Sequence, residues 1–372
     1  MIFHSESASR LAPRMMSIAS FAGSKAMGLL LACLACGSSQ AAIICIDSGD
    51  SASLEIWLGA MSSNGQDDEI RLRGGTFVVP AGSGGFQFFS TESNSLSISG
   101  QWNAGCTSIR GIADTVLDGS GASRIMQLYS DDGDLTVRRL LFANGRRDGT
   151  SGSAGLQING LANFGRNVTV EQCAFFSNAD TEPGFDSGSA ALSAATENGE
   201  LRIRNNLFVN NAGGMASAAA IFLNGNASVA YITSNTASGN GGDGALAGGF
   251  RVQVGTASTD SVFLSNNILW GNSSPDLHID SGAVLYNNDI GQLTGTASIL
   301  SAGNVSIDPG FSGGSPPSYR LVPTSPLING GINAAPGGLS SVDFEGFTRI
   351  QGGIVDVGAY ELSDVIFDDD FD

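Results

Sequence analysis

Between residues 135 and 290 the chain alternates apolar and polar residues in short bursts, each closing on asparagine. The bursts read "LTVRRLLFANG", "VTVEQCAFFSN", "LRIRNNLFVNN", "AYITSNTASGN" and "VFLSNNILWGN", with a shorter echo, "VLYNNDI". Val137, Val170, Ile203, Ile232, Leu264 and Leu285 hold the matching position, at intervals of 33, 33, 29, 32 and 21 residues. A period of two belongs to strands. A strand unit that recurs at this interval implies a chain wound into a solenoid. The expected fold is all-β, a right-handed parallel β-helix whose inward side chains form an apolar ladder.

Each turn is expected to hold two main strands. One is the burst itself; the other is found at "GLQI" (155–158), "AALS" (190–193), "AIFL" (220–223) and "GFRV" (249–252). Variable polar loops lie between them. Asn205-Asn206, Asn266-Asn267 and Asn287-Asn288 stand where the chain leaves a strand and bends. Asparagine tolerates left-handed backbone and bonds nearby peptide groups. Asn206, Asn235, Asn267 and Asn288 are expected to stack as a structural hydrogen-bonded ladder, with Cys173 in the same position one coil earlier.

Towards the N-terminus, Leu54, Leu58 and Met61 fall at helical spacing after Ser51 and Ser53, which are good N-cap types. A short helix there would cover an open end of the solenoid, where free strand edges need protection. Short strands follow at "EIRL" (69–72), "TFVV" (76–79), "GFQFF" (85–89) and "SLSISG" (95–100). The expected organisation is a signal peptide over 1–41, an N-terminal cap with first coils over 42–114, regular coils over 115–290, a terminal coil and C-terminal cap over 291–362, and an acidic tail over 363–372.

The leader reading rests on Arg10, Arg14 and Lys25 before an apolar run from Ala26 to Cys36, with Ser39-Gln40-Ala41 as a cleavage site. Translation starts at Met1 or at Met15 or Met16. A membrane anchor and a lipoprotein carrying "LLAC" are the alternatives, but the apolar run is short for a span. Cleavage after Ala41 leaves 14 arginines against 34 acidic residues, a net charge of −20, where the whole chain carries −18. Such a surface repels nucleic acid and anionic lipid. Of the cysteines that remain, Cys45 and Cys106 flank the N-terminal segment, and in an oxidising compartment they are expected to pair. The mature chain is expected to be a monomer with no transmembrane span.

The chain resembles the right-handed parallel β-helix family of secreted bacterial proteins, and within it the choice-of-anchor Q domain proteins. The resemblance is carried by "TVLDG" (115–119), "NNILWGN" (266–272), "DPGF" (308–311), "YRLVPTSPLINGG" (319–331) and "DVGAYE" (356–361). It implies an exported or cell-surface setting and a polysaccharide or surface glycan as partner. It carries over no catalytic residue. The alternative is a polysaccharide lyase or glycoside hydrolase acting from acidic loops between coils. Two carboxylates on one surface could serve as acid and base. Asp148, Asp180, Glu182 and Asp186, with Arg146 and Arg147, occupy successive loops expected to stack. Asp131, Asp132 and Asp134 in "SDDGD" are weak candidates for calcium; no other cofactor is expected. For glycan binding without catalysis, outward aromatics would be the mark, with Phe176, Trp270 and Tyr286 as candidates.

Overall fold

The computed structural model describes residues 41–111, 114–147, 152–160, 166–181, 188–242, 245–255, 261–273, 275–296, 300–313 and 318–362. The leader segment and the acidic tail of the sequence reading lie outside these residues. Among the described residues, no helix is long and apolar enough to cross a membrane.

The chain forms a parallel β-helix. Three parallel sheets run its length: sheet 1 has ten strands, from Ala42–Ile46 to Leu300–Ala302. Sheet 2 has eight, from Gly75–Val78 to Asp289–Ile290, and sheet 3 has eight, from Phe86–Ser90 to Leu293–Gly295. The chain visits sheets 1, 2 and 3 in turn and then starts the next coil. Val137 aligns with Val170, Ile203, Ile232, Leu264 and Leu285 across consecutive strands, and the first five of these are fully buried. One coil-to-coil step thus places like on like, so each added coil extends the same buried ladder.

The coil contains three principal strands rather than the expected two. Each repeated burst is itself a pair of strands, such as Leu135–Arg138 in sheet 1 and Leu141–Ala143 in sheet 2. A residue with positive φ breaks the pair. Arg139, Gln172, Asn205, Ser234, Asn266 and Asn287 hold that place in successive coils, with φ between 48° and 57°. A second left-handed residue ends the sheet 2 strand: Asn144, Ser177, Asn210, Gly239 and Gly271. Inside sheet 2, Phe142, Phe175 and Phe208 stack with ring centroids 4.9 and 4.8 Å apart. Each such buried ring contributes on the order of 1.5–3 kcal/mol of transfer free energy.

The residue after each first corner points inward. Asn206, Asn235, Asn267 and Asn288 are all buried, and each side-chain amide donates to the next side-chain oxygen at 2.8–3.0 Å, ending on Asn304. Each also donates to a strand carbonyl one coil back, as Asn235 does to Ile203 at 2.8 Å. Cys173 begins this column: its amide donates to Asn206 Oδ1, its thiol is free, and burial pushes that thiol up to about 12. A parallel column follows the second corner, through Asn178, Asn211, Asn240 and Asn272 to Asp276. The columns satisfy backbone groups that the turns would otherwise strand in the interior.

The helix Ser51–Met61 buries Leu54, Leu58 and Met61 and packs against strand Phe86–Ser90. Its cap is Asp50 rather than Ser51 or Ser53: the carboxylate accepts from the Ser53 amide at 3.0 Å and from the Ser53 hydroxyl. A carboxylate is the better partner for the electropositive first turn. A disulfide joins Cys45 to Cys106.

The C-terminal part departs from the expected end cap. After the antiparallel pair Phe311–Gly313 and Ser318–Leu321, the chain turns back along the corner between sheets 1 and 2. It bonds Asn287 through Gly330, Asn266 through Ile332, Asn205 through Val342 and Gln172 through Asp343. This segment is a lateral strap over several coils. Leu293 and Leu300 on the terminal strands stay exposed.

Candidate functional site

Sheet 3 places its alternate side chains outward in two straight rows, because its strands pair in register. One row runs Gln87, Gln127, Gln157, Ser193, Ala220, Arg251, His278, Thr294. The other runs Phe89, Tyr129, Asn159, Ala195, Phe222, Gln253. Neighbouring coils lie about 4.8 Å apart, so these rows offer one contact group per coil. Phe89 and Tyr129 stack with centroids 5.1 Å apart, and Phe89 is 51% exposed. Gln127 donates to Gln157 at 3.0 Å.

Midway, Ser193 and Ala195 are too short to reach as far as their neighbours, and the face sinks into a cavity of about 350 Å³. Gln157 and Asn159 line one side; Phe222, Asn224 and Gln253 line the other. Gly152 and Gly188 form part of the wall with φ of 117° and 140°. A Cβ on Gly152 would come 2.1 Å from Gln157 Oε1, and one on Gly188 would come 2.0 Å from the Gly152 carbonyl oxygen. Both positions therefore require glycine. Among the described residues lining the cavity none is charged. Burial pushes the Tyr129 phenol up, while the nearby Arg124 charge and then its bonds to Gln157 and Asn159 oppose that shift. The combination of aromatic faces and amide groups suits hydroxyl-rich, uncharged ligands.

The loops singled out for catalysis lie beside this cavity. Arg146–Arg147 pairs in parallel with Ala179–Asp180, so successive loops do stack. Arg147 and Asp180 form an ion pair at 2.6 Å in which the Asp180 side chain is fully buried, and the Arg147 guanidinium lies against Gly188. Arg146 is exposed. Asp148, Glu182 and Asp186 lie outside the described residues. Asp180 is thus committed to Arg147 beneath the surface.

Of the three calcium candidates, Asp132 pairs with Arg166, and Asp134 accepts from the Asn167 amide at 2.9 Å and its side chain at 3.1 Å. Asp131 is exposed, and its carbonyl accepts from Arg166. Among the described residues, no group of three or more His, Cys, Asp or Glu is placed to hold a metal ion.

The aromatics proposed as a binding mark sit elsewhere. Phe176 packs against a buried cluster that includes Phe344 and Ala359 of the strap, and Trp270 packs against one that includes Leu321, Leu327 and Val357. Tyr286 is half-buried on sheet 1. The outward aromatics of sheet 3 are Phe89 of "GFQFF", which is exposed, and the half-buried Tyr129 and Phe222, the latter in "AIFL". Strand alternation carried the needed signal, since each lies between two inward residues.

At the far end of sheet 3, Asp280 accepts from Arg251 at 2.9 Å and lies 3.0 Å from His278 Nε2; Nδ1 lies 2.9 Å from the Thr294 hydroxyl. These groups satisfy one another and form a polar border to the face.

No protein-family model matches the chain, and no curated protein matches it.

Proposed function

We propose that this protein is a glycan-binding β-helix that holds a neutral polysaccharide along the outer face of sheet 3, with the cavity over Ser193 and Ala195 as its central subsite. The observation that carries this reading is an uncharged aromatic and amide groove on a chain of net charge −18. The net charge of the chain disfavours polyanions, and Arg147 beside the cavity and Arg251 along the face are paired with Asp180 and Asp280. A repeated row of contacts suits a repeated ligand.

The reading includes export to the cell surface or beyond. The Cys45–Cys106 bridge supports it, because such bonds persist in oxidising compartments. It also includes kinship with choice-of-anchor Q domain proteins, supported by the internal role of the "DVGAYE" residues. Asp356 accepts from the Asn329 and Leu362 amides, and Glu361 from those of Gln351 and Asp356. Enzymatic action from the inter-coil loops is the second reading; the buried Arg147–Asp180 pair weighs against Asp180 as an acid or base.

The test is binding of the purified protein to arrayed neutral and uronate polysaccharides, followed by titration. Neutral polymers are expected to bind, and Phe222→Ala to weaken them by roughly tenfold, the size of one lost aromatic stacking contact. Retention of uronate polymers alone, or an unchanged Phe222→Ala affinity, overturns the proposal.

A further inference from the structure

Most arginines of this acidic chain are spoken for. Arg138 and Arg204 share Glu171, Arg251 holds Asp280, Arg320 holds Glu345, and Arg349 lies 3.9 Å from Glu361. Arg110 and Arg139 differ: among the described residues neither has an ion-pair partner. Both line a second cavity, of about 410 Å³, between the loop after strand Leu96–Trp102 and the C-terminal strap. Arg139 Nε is buried with no hydrogen-bond partner, and its guanidinium carbon lies 6.0 Å from the Trp102 ring. It also occupies the left-handed first corner, at φ 54°, a place that later coils give to asparagine or serine. A long cationic side chain there is uncommon. Arg139 is half-buried, with Glu171 and Glu69 near but neither in ion-pair contact, and a partly desolvated cation without a directly bonded anion is costly.

The walls of this cavity are held from both ends of the chain. On one side Trp102 pairs with Ile109, and Cys106 ties the loop to Cys45. On the other, Gln172 bonds the Asp343 carbonyl at 2.8 Å and so seats Val342 and Phe344. Two guanidinium groups thus face a space whose remaining surface is partly apolar. Glu345, already held by Arg320, lines the same space and would oppose a doubly charged guest.

We propose that this cavity binds a small organic monocarboxylate. Its carboxylate is held by Arg139 and Arg110, and its apolar body lies on Ile109 and Phe344. Guanidinium groups match carboxylate geometry through paired N–H donors. The proposal does not depend on glycan binding, which uses a different sheet.

The test titrates the full chain with benzoate, glucuronate and inorganic phosphate by calorimetry, with Trp102 fluorescence as a second readout assigned through Trp102→Phe. Benzoate is expected to saturate one site and to perturb Trp102. Arg139→Gln and the rim variant Arg110→Gln should each weaken it by roughly tenfold or more, as loss of one charge-assisted contact predicts. Arg146→Gln, at an exposed arginine beside the other cavity, should leave it unchanged. Absence of saturable benzoate binding, binding of phosphate alone, glucuronate binding as tightly as benzoate, or unchanged affinity in both Arg110 and Arg139 variants overturns the proposal.

Discussion

At Asn205, Asn266 and Asn287 the backbone matters first, since φ lies at 53°, 57° and 48°. At the next residue the side chain matters most. Asn235 illustrates this: it accepts from the Asn206 amide and side chain and donates to Ile203 and Asn267. Asn235→Ala strands several of these groups in a dry interior, so unfolding in urea should show a loss of about 3 kcal/mol. Ser234, just before it, holds φ 56° with a buried hydroxyl that has no hydrogen-bond partner. Ser234→Gly removes both the left-handed strain and the orphan hydroxyl, and the same assay should show a gain of up to about 1 kcal/mol. The asparagine column at 206, 235, 267 and 288 is legible because doubled asparagines mark three of its four places, Asn235 following Ser234. The second column, at 178, 211, 240 and 272, follows serine, asparagine or glycine, and no doubled pattern marks it consistently.

Among elements, the strands of sheets 1 and 3 are long enough for alternation to reveal them. Those of sheet 2 are only two to four residues long, as in Ile268–Leu269 or Gly75–Val78, and so show no period of their own. They merge with their neighbours into one apparent strand until the intervening left-handed residue is seen. The outward face of sheet 3, the proposed binding face, was missed for a related reason. Without the third sheet, outward positions cannot be assigned to a surface, and Phe176 and Trp270 look free when the strap covers them. The strap itself pairs residues far apart in sequence, which local patterns do not encode. The first coils are fastened differently, by a bridge between residues 61 apart. Replacing both cysteines by serine should lower stability by about 4 kcal/mol on loop-closure grounds. Thermal unfolding with and without reductant checks this value.

For the whole molecule, acidity and burial act together. Burial raises Asp68 to about 6, and raises Asp289 and Glu361 to about 7. An unfolded carboxyl titrates near ~4. Between about pH 4 and 7 the folded chain therefore holds protons that the unfolded chain has released, so stability falls as pH rises through that window and levels off above it. Urea midpoints at pH 5 should exceed those at pH 8. Asp289→Asn should flatten the difference, since one Asp289 oxygen accepts from the Ile307 amide and the other has no hydrogen-bond partner. The backward course of the final residues has a temporal consequence. A nascent chain can wind its coils as they emerge, yet Phe176, Leu207 and Val209 gain Phe344 and Ala359 as neighbours only after every coil has been made and the strap follows. Until that moment the half-made rod carries a greasy seam along one corner, and chaperones that guard such seams would find it there.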